Sequence, residues 1–163
     1  MSKWSTAQIE QLLHDFNIDH LRKFMWWRLT TDAVKKVIEN NGTKFFEKKL
    51  LDKYQISVQI VNQDIFFGRW KDLEEDEKNY HHVGSIAAIQ EYYKYKGNQL
   101  EDYDEIIMDE LVRADSERRT FDIPAAFINM IENVCRTRDG IRVRIFANAI
   151  GEMQEVKKLF GFT

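Results

Sequence analysis

The sequence predicts a single α/β domain, because short apolar runs typical of strands alternate along it with stretches of helical periodicity. The runs typical of strands are 24–28, 57–61, 65–69, 83–89, 106–108 and 143–147. The stretches of helical periodicity are 6–16, 30–39, 44–54, 90–95, 122–136 and 152–159. This alternation favours an open sheet with substantial parallel pairing and flanking helices. Since 163 residues is the length of one domain, we expect residues 1–163 to form one.

The composition excludes several classes of protein. Hydrophobic residues make up 44% and charged residues 31%, as is ordinary for a soluble globular chain. No apolar run approaches the roughly 18 residues of a membrane helix, and the N-terminus lacks the apolar segment of a signal peptide. The single cysteine, Cys135, excludes an internal disulfide and fits a reducing compartment. With a net charge of −3, any contact with DNA requires a local basic patch.

The first helix and strand follow from local patterns. Ser5 or Thr6 is a candidate N-cap, and apolar residues then repeat at helical spacing as far as Phe16. Residues 24–28 are apolar or aromatic up to a final Arg28, which is typical of a buried strand.

A second and a third helix follow that strand. Thr30 or Thr31 caps the second helix, and the pair Asn41-Gly42 ends it. We expect the third helix, over 44–54, to bury its apolar face. That face consists of Phe45, Phe46, Leu50 and Leu51.

A β-hairpin is predicted next, because the runs 57–61 and 65–69 flank the turn residues 62–64. The acidic and polar stretch 70–80 predicts an exposed loop. The segment 83–89 then predicts another strand.

The stretch 103–110 is the most informative about chemistry. Residues 106–108 form a continuous apolar run, as expected of a strand buried on both faces of a sheet. Asp109 and Glu110 follow at its carboxyl end, the edge where open α/β sheets place their ligands. Nucleoside triphosphatases use such an ending, in which the Asp holds Mg²⁺ and the Glu polarises the attacking water. The alternative is a buried strand that ends in a solvated acidic turn.

The last third of the chain adds one more helix and one more strand end. Asp122 and Pro124 mark the start of a helix, and the cations and glycine of 136–140 mark its end. Asn148 closes the final strand, so polar residues at the ends of three strands can converge on one edge. An asparagine there orients water or senses a phosphate, or simply tolerates a turn conformation.

Three segments resemble the DNA-packaging ATPases of small tailed phages, the encapsidation-protein branch of the terminase large-subunit motors. The segments are Asp104-Glu-Ile-Ile-Met-Asp-Glu-Leu, Phe121-Asp-Ile-Pro-Ala-Ala-Phe-Ile-Asn-Met-Ile-Glu-Asn-Val-Cys-Arg-Thr-Arg and Arg144-Ile-Phe-Ala-Asn-Ala-Ile. The resemblance extends from about residue 24 to the C-terminus, and 41–68 matches the family's β-hairpin insertion more loosely. It implies an incomplete P-loop-NTPase-like (ASCE) sheet with flanking helices and a β-hairpin insertion.

The resemblance also implies a catalytic site. Asp109 and Glu110 fall on the Walker B metal-site acid and the catalytic glutamate, and Asn148 falls on the family's sensor. Arg136, with Arg138 nearby, falls on the arginine finger that acts on the neighbouring subunit. The alternative for Arg136 is a cation at a helix end.

Two further residues are implied to contact nucleotide. Lys96 falls on a second basic residue that acts in trans, although a solvated loop lysine is the alternative. Arg28 falls on an arginine proposed to couple nucleotide and DNA. The family binds Mg²⁺ and ATP, assembles as a homo-oligomer on double-stranded DNA, and works in the host cytoplasm.

The sequence departs from the family's pattern at its start. No glycine precedes Gly42, so the Gly-rich phosphate loop that ends in Gly-Lys-Ser/Thr is absent. We therefore expect this polypeptide alone not to bind ATP tightly. A sheet without the strand before that loop has unpaired backbone edges. We expect a truncated or split motor subunit whose complementary chain supplies the loop, or else a chain that rearranges or self-associates.

Two rival functions remain open. The first is a non-catalytic, phage-derived interaction or inhibitor protein built on a packaging-ATPase remnant, which predicts exposed tryptophans as interface anchors. The second is metal-dependent nuclease chemistry by clustered acids. Those acids are Asp102, Asp104, Asp109 and Glu110. His81 and His82 also hint at metal, but adjacent side chains diverge on a strand, which favours two surface histidines.

Overall fold

The computed structural model describes residues 3–28, 30–43, 45–89, 91, 103–108 and 142–145. The helices are α1 (Lys3–Asn17), α2 (Thr31–Ile38), α3 (Lys48–Tyr54) and α4 (Trp70–Glu75). The strands are β1 (Phe24–Arg28), β2 (Ile56–Val61), β3 (Asp64–Arg69), β4 (His81–Ala88), β5 (Glu105–Met108) and β6 (Arg142–Ile145).

All six strands form one mixed sheet in the order β2-β3-β4-β1-β5-β6. Strands β4, β1, β5 and β6 pair in parallel. Strands β2 and β3 form an antiparallel hairpin, and β3 pairs antiparallel with β4. The α/β class, the parallel pairing and the hairpin predicted from the sequence are therefore confirmed. Gly84 lets β4 approach β1 closely, because a Cβ there would lie 2.5 Å from the carbonyl oxygen of Phe24.

One face of the sheet carries a large apolar core under the helices α1, α2 and α3. Ile9 and Leu13 of α1 and Val34 of α2 pack in this core with Trp26 of β1 and Ile107 of β5. The N-cap of α2 is Thr30, whose hydroxyl accepts a hydrogen bond from the amide of Ala33. The first two helices predicted from the sequence thus lie where their apolar spacing requires, although α1 begins at Lys3, before the predicted cap at Ser5 or Thr6.

The opposite face of the central strands is also buried. Met25 and Trp27 alternate with the core residues of β1, and Ile106 and Met108 do so in β5. None of these four residues is more than 2% exposed. The prediction that 106–108 form a strand buried on both faces is confirmed.

Two predictions about helices near the hairpin are wrong. The third helix begins at Lys48 instead of residue 44, because Phe45 and Phe46 leave the helical path to enter the core. Their rings stand edge-on to each other at 4.9 Å, and the ring of Phe45 lies 4.7 Å from that of Trp26. The two phenylalanines are buried as expected, whereas Leu51 is only half-buried.

The stretch 70–80, predicted to be an exposed loop, begins with the six-residue helix α4. None of its residues is buried, so no apolar periodicity marks it in the sequence. An ion pair between Arg69 and Asp72 spans its first turn, and Leu73 packs over Gly68. These two local contacts stabilise a helix in a segment whose composition is typical of a loop.

Several predicted elements lie outside the described residues. They are the helices after Gln90, Asp122 and Glu152 and the end of the last strand at 146–147. Within the described part of the chain, no helix combines the length and the hydropathy needed to cross a bilayer.

Candidate nucleotide site at the carboxyl edge of the sheet

The carboxyl ends of three parallel strands lie side by side. In the register of the sheet, Trp27 of β1 pairs with Met108 of β5, and Met108 pairs with Ile145 of β6. In the sequence Arg28 follows Trp27, and Asp109 follows Met108. The strands that precede the predicted site residues therefore end at one edge, as the sequence argument requires.

Arg28 is the one predicted site residue whose side chain the described ranges include. It is the last residue of β1, is half-buried, and pairs in register with Ala88 at the end of β4. Its guanidinium carbon lies 5.6 Å from the ring centroid of Phe45. A cation over an aromatic face gains about 0.5–2 kcal/mol and is held at a defined position. The fold thus directs one cation to this edge.

The other predicted site residues lie outside the described ranges. They are Lys96, Asp109, Glu110, Arg136, Arg138 and Asn148. The structure brings together the strand ends that precede Asp109 and Asn148, and the roles of these six side chains remain predictions.

The same fold occurs in solved structures. Over 99% of its length the chain matches 74% of the N-terminal domain of the DNA packaging ATPase from bacteriophage phi29, with a TM-score of 0.67 and 16% identity. It also matches the phi-28 gp11 DNA packaging motor, with a TM-score of 0.70 and 14% identity, over 98% of this chain and 47% of that one. A third match is the bacteriophage phi-29 viral genome packaging motor assembly, with a TM-score of 0.65 and 15% identity, over 96% of this chain and 44% of that one. The chain has the fold of phage DNA-packaging ATPases.

At these identities the likeness concerns the fold. The chain spans less than half the length of the chains from the two motors. No protein-family model matches the sequence, and no curated protein matches it significantly.

Of the candidate metal ligands in the rival interpretation, the described ranges include Asp104, His81 and His82. No three His, Cys, Asp or Glu side chains cluster as a metal site in the described ranges. His81 is exposed and lies against the ring of Phe16, whereas His82 is half-buried and lies against Phe66. Of the four clustered acids, Asp104 alone is described, and its amide donates to the carbonyl of Lys23 at the amino end of β5.

Sequence reasoning missed a buried polar network before β5. The hydroxyl of Ser85 donates to Asp64 at 2.7 Å and also contacts the hydroxyl of Tyr103. Both Ser85 and Tyr103 are less than 8% exposed. This network ties the segment that enters β5 to the hairpin and so helps to position the strand that leads to Asp109. Its signal in the sequence is a serine within the apolar run 83–89.

Proposed function

We propose that this chain is the ATPase-core domain of a phage DNA-packaging, terminase-like motor. The observation that carries the proposal is the joint ending of β1, β5 and β6 at one edge of a sheet with the packaging-ATPase fold. Open parallel sheets bind nucleotides at this edge, and Asp109 and Glu110 follow the buried strand that ends there.

In this proposal the acids supply the metal site and the water-activating group. Carboxylate oxygens suit Mg²⁺, so Asp109 would hold the ion and Glu110 would polarise the attacking water. Bound Mg²⁺ neutralises charge on the phosphates of ATP. Asn148 would orient the water or sense the γ-phosphate.

The proposed cations stabilise negative charge on the transferred phosphoryl group. Arg136 would act on the nucleotide of a neighbouring subunit, with Arg138 and Lys96 as further basic contacts. Arg28, held over Phe45, would report the state of the nucleotide to the rest of the sheet. These roles require a homo-oligomer, and the motor neighbours support one. Double-stranded DNA is the proposed track.

We also propose that a complementary segment supplies the phosphate loop. The sequence contains no Gly-rich loop that ends in Gly-Lys-Ser/Thr. Of the two outermost strands, β2 is covered by the side chain of Asn41, which bonds to Val58 and Ile60. Strand β6 pairs with β5 and with no other described strand. An added strand would therefore pair along β6, in a split or truncated motor subunit.

The rival proposal is a non-catalytic interaction or inhibitor protein. It predicts exposed tryptophans, but Trp26 and Trp27 are fully buried, on opposite faces of the sheet. Trp70 is 37% exposed and is the remaining candidate anchor among the described side chains. Burial of the tryptophan pair favours the ATPase-core proposal.

Thermal melting with Mg²⁺ and a non-hydrolysable ATP analogue tests the proposal. The chain is melted alone and with the polypeptide segment encoded directly upstream of it. With that segment present, ligand at a hundredfold excess over Kd is expected to raise Tm by about 5–10 °C, because it binds only the folded state. Asp109→Ala should abolish the rise.

Asp104→Ala is the matched control, because it removes the acid that directly precedes β5, at the end of the strand opposite Asp109. It is expected to keep the response to Mg²⁺ and nucleotide. If neither the chain alone nor the mixture responds at millimolar nucleotide, the ATPase-core proposal is wrong and the interaction protein takes its place.

A further inference from the structure

A cavity of about 270 Å³ lies at the amino edge of the sheet, opposite the proposed nucleotide site. It is open to solvent on one side and is lined by the end of α1, the entry to β1, the end of β3 and the start of β4. Phe16 and Val83 form part of its apolar wall. The proposed function makes no use of this cavity.

Basic and imidazole side chains dominate the polar lining of the cavity. Lys23, Arg69, His81 and His82 all line it, and Asp19 is the single acid among the lining residues. At neutral pH Lys23 and Arg69 are permanent cations, and Asp19 is the carboxylate that lines the cavity with them. Nε2 of His82 lies 3.3 Å from a carboxylate oxygen of Asp64 behind the lining, and the imidazole of His81 offers an N–H donor.

Arg69 is held rigidly in this wall. Its Nη2 donates to the carbonyl oxygen of Phe16 at 2.6 Å, and its guanidinium carbon lies 4.4 Å from the centroid of the Phe16 ring. On its other side Nη1 lies 3.5 Å from a carboxylate oxygen of Asp72. A guanidinium fixed in this way loses little conformational entropy when it binds an anion.

Asp19 occupies the place at Arg69 that an anion would take. Its carboxylate accepts from Nη2 of Arg69, yet its side chain is 84% exposed. The residue lies in the left-handed region with φ of 57°. An exposed carboxylate on a short turn contributes little to stability and is readily displaced.

Lys23 supplies the second cation. Its ammonium group lies 5.5 Å from the ring centroid of Tyr103. Among the residues that the structure describes, no carboxylate forms an ion pair with it. Its charge therefore remains available to a ligand in the cavity.

We propose that this cavity is a binding site for the phosphate group of a small molecule. A dianion with several acceptor oxygens satisfies Lys23, Arg69 and the imidazole donors together, and it displaces the Asp19 carboxylate from Arg69. Phosphate matches the fork of a guanidinium and the point charge of an ammonium. The site is separate from the nucleotide edge, so it does not depend on the proposed ATPase activity.

Titration with inorganic phosphate, without nucleotide or Mg²⁺, tests the site. The imidazole NMR resonances of His81 and His82 are followed at neutral pH and at an ionic strength held constant with sodium chloride. Saturable shifts of both resonances are expected. Shifts that chloride alone reproduces would overturn the proposal.

Two variants should change the affinity in opposite directions. Lys23→Gln is expected to weaken phosphate binding by about tenfold, because it removes one charge-assisted hydrogen bond. Asp19→Asn is expected to tighten it several-fold, because it removes the competing carboxylate, and asparagine tolerates the left-handed conformation. If phosphate acted only through general charge screening, substitutions at these two positions would have the same effect as substitutions of other surface charges.

Controls separate the site from general effects of charge and folding. Lys48→Gln removes an exposed lysine of α3 outside the cavity and should leave the affinity unchanged. Lys23→Arg should retain binding. If Lys23→Gln binds as the unaltered chain does, or if Asp19→Asn fails to tighten binding while its melting curve stays cooperative, the site is refuted.

Discussion

Asn41 covers the outer edge of the sheet with its side-chain amide. Its Nδ2 donates to the carbonyl of Val58 at 2.8 Å, and its Oδ1 accepts from the amide of Ile60 at 2.7 Å. The two bonds imitate the pairing of a neighbouring strand on β2. Exposed edges are templates for aggregation, so a residue that satisfies their polar groups protects the chain. Its φ of 58° is one that asparagine tolerates better than most residues.

Replacing Asn41 should lower the free energy of unfolding more than replacing its neighbour Asn40. Asn41→Ala is expected to destabilise the fold by about 2–4 kcal/mol, from two lost hydrogen bonds and the left-handed backbone. Asn40→Ala is the matched control. It has φ of 53°, and about 1 kcal/mol is expected from the backbone alone. Urea unfolding measures both, and equal costs would show that the amide contacts contribute nothing.

At the scale of elements, one polar cluster joins α1 to α3. The ammonium of Lys53 and the hydroxyl of Tyr54 both contact one carboxylate oxygen of Glu10. The hydrogen bond from Lys53, followed by that from Tyr54, lowers the pKa of Glu10 below its ordinary value of 4.5. The bond to Glu10 likewise raises the pKa of Lys53 above 10.5. The two helices are thus linked by a contact that depends on pH.

The sign of that dependence follows from the direction of the shift. Because folding lowers the pKa of Glu10, its contribution to stability is complete above pH 4.5 and is lost as the pH falls through the folded value. Glu10→Gln should therefore be less stable than the unaltered chain at neutral pH, and the difference should shrink below pH 4.5. Urea midpoints between neutral and acidic pH measure it.

Glu74→Gln serves as the control for that experiment, because it removes the same charge from an exposed position on α4. If the difference in urea midpoint between Glu10→Gln and the unaltered chain stays constant into the acidic range, the contact between α1 and α3 is not its source.

At the scale of the whole molecule, β1 is the centre of stability. It pairs with β4 on one side and β5 on the other, and both of its faces are buried. Helix α4 is the opposite case, since it is short and buries no residue. Local stability follows burial and hydrogen bonding, so the two elements should open at very different free energies.

Amide hydrogen exchange measures this difference. The amides of β1 are expected to exchange only on global unfolding, at least about tenfold more slowly than those of α4. Strand β2, with one paired side, should be intermediate. If β1 exchanged as fast as α4, the central position of β1 in the sheet would be wrong.

Much of this architecture could be predicted from local patterns. The apolar spacing of α1, the aromatic run of β1 and the hairpin of β2 and β3 all carry clear periodicity, and each lies within a few residues of its predicted bounds. The start of α3 could not be predicted in this way. The burial of Phe45 and Phe46 against Trp26 competes with helix formation, and only the three-dimensional core decides that competition.

The candidate site was predictable only in part. The apolar run before Asp109 indicated a strand buried on both faces, and the strand is so buried. The register that sets Trp27 beside Met108 and Met108 beside Ile145 links residues far apart in the sequence, so no local pattern contains it. The cavity near Lys23 was missed for the same reason.

Local patterns were enough to predict the α/β class, most of the strands and the acids that follow β5 in the sequence, because periodicity and composition are local properties of a chain. The tertiary structure decided the order of the strands, the cover that Asn41 places on β2, and the meeting of Lys23 with Arg69 around one cavity. These features depend on contacts between distant segments, and such contacts form only where packing and hydrogen bonding outweigh the entropy of closing the loops between them.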